Sequence, residues 1–414
     1  MTDKRRLIEN FSALTIMQLL NYILPFVTLP YLARVLSLEG YGVYIFSQAL
    51  IAYFIVIVDF GFDLSGTREV SINRHHSKKL SEIFSSILVI KFILMIISLL
   101  ILIALIMFVP SISEYWQVHL IMFIMVFGNM LLSTFVYQGL EKMKFITILN
   151  ASIKIFFTLT IFIFIKDQND LPLVALLNSI GYLIVGLISL CIILKIINIK
   201  FTIPSKENLI NQFKNSLQFF WSRIAVSLYT TSNTFVVGLF LGPAAAGIFG
   251  SADKLFRAAV SLYQPLNNVL YPYIAHSKNI RLYKKLFKLS TISNIIVVLI
   301  VFIFSDLVIK LIFGSGYEES AVLLKIFMIA AIYMMPSILM GYPLLGALGY
   351  TREVNKSVIY ASIIHVVLLV ILIPVLSVKL VALLVLFTEL LVFIYRYYYV
   401  KKYGLLNSNF MNKQ

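Results

Sequence analysis

Very little in this chain supports catalysis or redox chemistry. Its one cysteine, Cys191, lies in an apolar stretch, which excludes an internal disulfide and a multi-cysteine metal centre. No histidine–cysteine cluster has metal-ligand spacing; His75 and His76 are adjacent in a basic loop and read as solvated. No glycine-rich loop precedes a Lys-Ser/Thr pair, which excludes a built-in ATPase. No cofactor or metal is expected. Charged residues make up 13% of the 414, against about 25% in a soluble domain, and the length is that of a mid-sized transporter, with no added soluble catalytic domain expected. No small-residue cleavage site follows Lys4, Arg5 and Arg6, and the apolar block behind them contains Pro25 and Pro30; a cleavable signal peptide is not expected.

What the chain has instead is hydrophobicity: 60% of its residues are apolar. They recur in twelve blocks, Asn10–Arg34, Tyr41–Phe62, Ile83–Phe108, His119–Gln138, Phe145–Ile165, Leu171–Leu194, Asn215–Leu241, Gly247–Ala275, Leu289–Leu311, Ala321–Leu348, Ser357–Leu376 and Leu380–Val400. Each is long enough to cross a bilayer, which takes roughly 20 mostly apolar residues as a helix that satisfies its own backbone.

The net charge of +16 invites a nucleic-acid reading, but its distribution argues against one. With the N-terminus inside, most of the 34 Lys and Arg, Arg396 counted among them, fall in connections and termini on one side. Only Arg34, Lys166, Lys310 and Lys379 fall on the other. This is the positive-inside pattern; it predicts cytoplasmic termini, an even number of spans and no nucleic-acid partner.

The chain also resembles itself. The stretch Leu36 to Tyr44 can be laid on Leu241 to Phe249, and Tyr137 to Gly139 on Leu344 to Gly346, both about half the chain further on. A parallel repeat of two six-span halves would give these offsets. The predicted organisation is a six-helix lobe over 1–195, a cytoplasmic linker over 196–214 carrying Pro204 and Ser205, a second lobe over 215–400 and a cytoplasmic tail over 401–414. The fold class is thus an all-α integral membrane protein of about twelve transmembrane helices in two lobes, with a central cavity.

Polar residues inside spans are costly and mark interiors or water-filled paths. Gln18, Asn21 and Thr28 recur at helical spacing in the first block; Tyr44, Gln48, Asp59 and Asp63 mark the second; Arg223, Ser227 and Thr234 mark the seventh. The eighth is richest, with Gly250, Asp253, Lys254, Arg257, Ser261, Gln264 and Asn268 on one face. Arg257 lies about ten residues into its block, roughly 15 Å at helical rise, with Asp253 one turn away. Guanidinium forks suit phosphate oxygens, so Arg257, Arg223 and Lys254 are candidate anion contacts; Lys154 either lines the cavity as a further one or snorkels. Asp59 and Asp63 near Arg68 suggest an inner-gate ion pair. His365 and Glu389, mid-span in the second half, are either coupling-proton carriers or packed polar residues. Lys91 and Lys325, near block ends, are expected to snorkel.

A resemblance rests on these residues. Gln18, the runs Asn21 to Pro25 and Leu29 to Leu36, Gly40 to Gly42 and Asp59 to Asp63 look like the opening of the Wzx family. Asn233, Gly238, Gly247 to Phe249, Ala252 to Lys254, Arg257 and Leu270 to Pro272 are similar to a later stretch of it. These are bacterial O-antigen and polysaccharide-unit flippases of the multidrug/oligosaccharidyl-lipid/polysaccharide exporter superfamily. The resemblance implies transport of undecaprenyl-diphosphate-linked oligosaccharide across the bacterial inner membrane by alternating access. It also implies a polysaccharide polymerase and a chain-length regulator as further partners. Related lipid II flippases carry arginines in the first span, where Gln18 and Asn21 stand here. A multidrug exporter of the same fold, a membrane polymerase or ligase, and a non-transporting assembly scaffold are the alternatives. The first would need an acidic cavity, and the second a long outer loop that the sequence does not have.

Overall fold

The computed structural model describes Leu24 and residues 27–405, and every regular element among them is helical. Gln18 and Asn21, expected on the polar face of the first span, lie outside the described residues, as does Pro25. The chain divides into two compact units. One runs to Ser227 and includes Gly242–Ala244; the other holds Leu228–Leu241 and the chain from Ala245.

In the first unit the order is α1 Ser37–Asp59, α2 Phe62–Ile72, α3 Ser77–Phe108, α4 Trp116–Leu132, α5 Thr134–Gly139, α6 Met143–Phe164, α7 Leu171–Cys191 and α8 Lys206–Thr230. In the second, α9 Ser232–Leu241, α10 Pro243–Ser261 and α11 Gln264–Ser277 precede α12 Ile280–Ile303, α13 Ser305–Phe313, α14 Glu318–Met340, α15 Thr351–Leu372 and α16 Val378–Lys402. Helices such as α3 are apolar all round and leave Phe92, Ile93, Ile97 and Leu100 exposed on the outside, as a helix facing lipid does.

Two helix breaks shape the first unit. Asp59 ends α1, and Phe60 (φ 43°) and Gly61 (φ 76°) both take left-handed backbone before α2 begins. Gly61 is required here: a Cβ would stand 2.7 Å from Phe219 Cβ on α8. Phe60 is held in its unusual conformation by stacking on Phe213 and Phe220 of α8, with ring centroids 4.5 and 4.3 Å away. The second break is at Ser133 (φ 42°) between α4 and α5. The Leu132 carbonyl beside it accepts from Ser189 Oγ at 2.6 Å, so a backbone group next to the break finds a partner away from water. Further along, α4 and α7 meet backbone to backbone at Gly128 and Gly186, where a Cβ on either would fall on the other helix.

Nine helical stretches among the described residues are long and apolar enough to cross a membrane, so the chain is an all-helical multi-pass membrane protein. They match the second to sixth and ninth to twelfth apolar blocks. The seventh and eighth blocks depart from the expectation of continuous spans. Asn215–Leu241 is divided at Thr231 between α8 and α9, and Gly247–Ala275 is divided at Leu262 and Tyr263 between α10 and α11. The second division has a sequence cause. Pro265 stands in the first turn of α11, where its missing N–H is tolerated and its ring prevents the preceding helix from running through.

The expected linker over 196–214 also looks different in three dimensions. α8 begins inside it at Lys206 and packs on α2: Ser65 and Ser216 hydroxyls meet at 2.6 Å, and Asn215 Nδ2 donates to Glu69 at 3.1 Å. The first compact unit extends to Ser227.

Candidate functional site

The first unit gathers a charged cluster around its α1–α2 break. Lys91 does not snorkel. Its side chain is 1% exposed, and its Nζ donates to Asp59 Oδ1 at 2.7 Å while lying 5.9 Å from the Phe135 ring centroid. Lys91 sits midway along the apolar α3, where an ammonium needs a counter-ion. Asn129 Nδ2 of α4 donates to the other Asp59 oxygen at 3.3 Å. Four residues on, Asp63 repeats the arrangement. Thr134 Oγ1 of α5 donates to its Oδ1 at 2.9 Å, and Arg223 Nη2 of α8 approaches its Oδ2 at 3.5 Å. Each carboxylate thus has one cationic and one neutral partner.

Arg68 is not the partner of either aspartate. It is exposed on α2 and lines a cavity of about 270 Å³ with Ser65, Glu69, Asn215, Gln218 and Phe219. Glu69 there accepts from Gln212 and Asn215. The inner-gate pairing expected from the sequence is therefore redistributed: Asp59 to Lys91, Asp63 to Arg223. Tyr44, expected on a polar path, is buried, and its hydroxyl oxygen accepts from Gln48 Nε2 at 2.8 Å and Asn178 Nδ2 at 2.9 Å. Lys154 is half-buried on α6.

In the second unit, α10 turns Ala246, Phe249, Ala252, Phe256 and Val260 inward. Phe249 and Phe256 both pack on Phe327 of α14, at 5.5 and 5.2 Å. Gly247 and Gly250 are buried as well. The opposite edge carries Arg257, whose Nε donates to Asp253 Oδ2 at 2.6 Å, as the one-turn spacing implies. Arg257 remains 44% exposed while Asp253 is mostly covered, so the guanidinium is anchored through Nε. Lys254 is half-buried beside them. Gln264 and Asn268 belong to α11, beyond the turn at Leu262 and Tyr263, and do not continue the α10 helix face.

His365 is fully buried. Its Nδ1 is hydrogen-bonded to Thr388 Oγ1 at 2.8 Å and its Nε2 to Asn233 Oδ1 at 2.8 Å, joining α15, α16 and α9. Glu389 is buried next to Thr388. Arg396, counted above with the cytoplasmic charges, is also inside α16. It is bound to Ser357 Oγ at 2.9 Å and to the Ser337 carbonyl at 2.8 Å, and its guanidinium fills the space where Gly341 has no Cβ. Lys325 reaches Asp306 Oδ2 at 2.7 Å. Sequence reasoning missed Lys91, Asn129, Thr134, Glu69 and Arg396 as partners. For Lys91 the signal was there: a lysine midway along a helix of this length and apolarity cannot reach either interface.

Comparison with known proteins follows the same lines. Residues 7–278 match the family described as "Polysaccharide biosynthesis protein". A relative from Escherichia coli (strain K12) named "Putative O-antigen transporter" is 26% identical over 374 residues, covering 89% of this chain and 90% of its own. A protein of the same name from Shigella dysenteriae is 30% identical over 267 residues, covering 64% of this chain and 67% of its own. Among solved structures, lipid II flippase MurJ in an inward closed conformation superimposes with a TM-score of 0.70 at 15% identity, over 95% of this chain and 87% of that one. An inward-facing multidrug resistance MATE transporter of the MOP superfamily gives 0.65 at 13%, over 96% and 99%. The chain shares the fold of these transporters.

Proposed function

Because this chain belongs to the polysaccharide biosynthesis protein family, we propose that it flips undecaprenyl-diphosphate-linked oligosaccharide units from the cytoplasmic to the periplasmic leaflet. It is a membrane transporter, not an enzyme. The diphosphate and sugars of such a cargo are too polar to cross hydrocarbon unaided, whereas its polyprenyl tail is at home in lipid. A transporter for it needs a polar, cation-bearing path through an apolar protein, with both ends exposed in turn.

The observation that carries this reading is the Arg257–Asp253 pair on α10. A guanidinium held at Nε by a 2.6 Å bond and 44% exposed has a fixed position on the helix and the planar geometry that suits phosphate oxygens. Lys254 adds positive charge beside it. Together with Arg223 in the first unit, these residues favour an anionic cargo over the cations of a drug exporter. Both termini are assigned to the cytoplasm from the charge pattern, and the two lobes of six spans remain the proposed organisation. Drive comes from the membrane potential, an ion gradient or removal of product.

The test is made in cells. Deleting the gene is expected to remove surface polysaccharide and leave lipid-linked repeat units on the cytoplasmic leaflet with sugar synthesis intact. Normal surface polymer in a strain without a second flippase would overturn the assignment.

A further inference from the structure

The two carboxylates flanking the α1–α2 break have partners of very different strength. Asp59 is closed off: 2.7 Å from a lysine that is 1% exposed. Asp63 is not. Its contact with Arg223 is 3.5 Å, beyond the range of a tight charged hydrogen bond, and Arg223 is 49% exposed. Asp63 would also keep a partner without Arg223, because Thr134 holds its other oxygen at 2.9 Å. The pair is built so that one side can leave at low cost.

The position of Arg223 on α8 adds to this. The first part of the helix is fastened to α2 and to the α1–α2 break by Gln212, Phe213, Asn215, Ser216, Phe219 and Phe220. Arg223 follows the last of these anchors, and among the described residues its charged contact is Asp63. We propose that Asp63 holds the place of a phosphate: its carboxylate occupies Arg223 until a phosphate or diphosphate displaces it, and the exchange frees the end of α8 past Phe220. This rests on the reading of the chain as a carrier of diphosphate-linked cargo and names a residue that competes with the cargo rather than binding it.

The direction in which two Asp63 variants shift affinity decides between competition and positioning. The full chain in lipid nanodiscs is titrated with farnesyl diphosphate and, separately, with inorganic pyrophosphate. If Asp63 competes, Asp63→Asn and Asp63→Ser bind tighter, by about two- to fivefold given the strength of a half-exposed ion pair, and adding Arg223→Ala removes the gain. Amide exchange over residues 223–230 should rise when wild-type protein binds the diphosphate, while residues 206–216 stay protected. A response to farnesyl diphosphate alone identifies a lipid headgroup as the source, and an equal response to pyrophosphate a soluble anion; tighter binding by both Asp63 variants supports the exchange in either case. Weaker or unchanged binding by both variants overturns it, because a carboxylate that positions Arg223 for the ligand would be missed. That result leaves the transport assignment standing if deletion still removes surface polysaccharide; loss of the deletion phenotype instead overturns the assignment.

Discussion

Lys91 Nζ and Asp59 Oδ1 stand 2.7 Å apart, with the lysine side chain 1% exposed and the aspartate 22%. The pair ties the centre of α3 to the end of α1, where the backbone turns left-handed at Phe60 and Gly61. It thus fixes the point from which α2 departs and from which Asp63 faces Thr134 and Arg223.

Removing one member should be far worse than removing both. Lys91→Met leaves a mostly buried carboxylate without its cation, and a loss of about 3 kcal/mol is expected. Asp59→Asn with Lys91→Met should recover most of it. Thermal unfolding of the purified protein in detergent measures both, and an equal loss in the single and double variants would show that the pair is not a unit.

For Arg257 the three classes of substitution should separate. Arg257→Lys keeps charge but loses the fork and should keep partial activity. Arg257→Ala should lower transport by about tenfold, the effect of one charged hydrogen bond. Arg257→Glu should lower it further. Complementation of a flippase-null strain, with inserted protein quantified for each variant, gives transport per molecule. Normal display by well-inserted Arg257→Ala would remove this residue from the cargo path.

At His365 both ring nitrogens are hydrogen-bonded within the protein, which is the geometry of a histidine that joins helices. His365→Leu should leave Asn233 and Thr388 short of a partner and cost about 1–3 kcal/mol of stability, while transport per inserted molecule and its response to an imposed pH gradient stay unchanged. A variant of normal stability that no longer responds to the gradient would place His365 in proton coupling instead.

Topology is open to direct labelling. Single cysteines introduced at Lys78, Lys206 and Lys284, with Cys191 replaced, should react only after the cytoplasmic face is made accessible. Labelling of the Lys206 position from outside intact cells would overturn the proposed arrangement of six spans on either side of it.

Much of this protein was legible in its sequence because lipid imposes one strong rule. A backbone in hydrocarbon must bond to itself, so long apolar blocks became helices, and among the described residues nine of them appear where hydropathy placed them. The pairing of Arg257 with Asp253 was legible for a similar reason: a four-residue step on a helix brings two side chains together whatever surrounds them. Where polarity and proline interrupted the blocks, as at Thr231 and Leu262, hydropathy averaged over the break and missed it. Partners distant in sequence were decided only by tertiary packing. Nothing local says that the counter-ion of Lys91 is Asp59, that Arg223 meets Asp63 rather than Arg68 doing so, or that Arg396 turns inward to Ser337 and Ser357. A buried charge takes whichever opposite charge or carbonyl the helix crossings bring within about 3 Å, and those crossings are set by contacts such as Gly128 on Gly186 and Phe60 on Phe213 and Phe220.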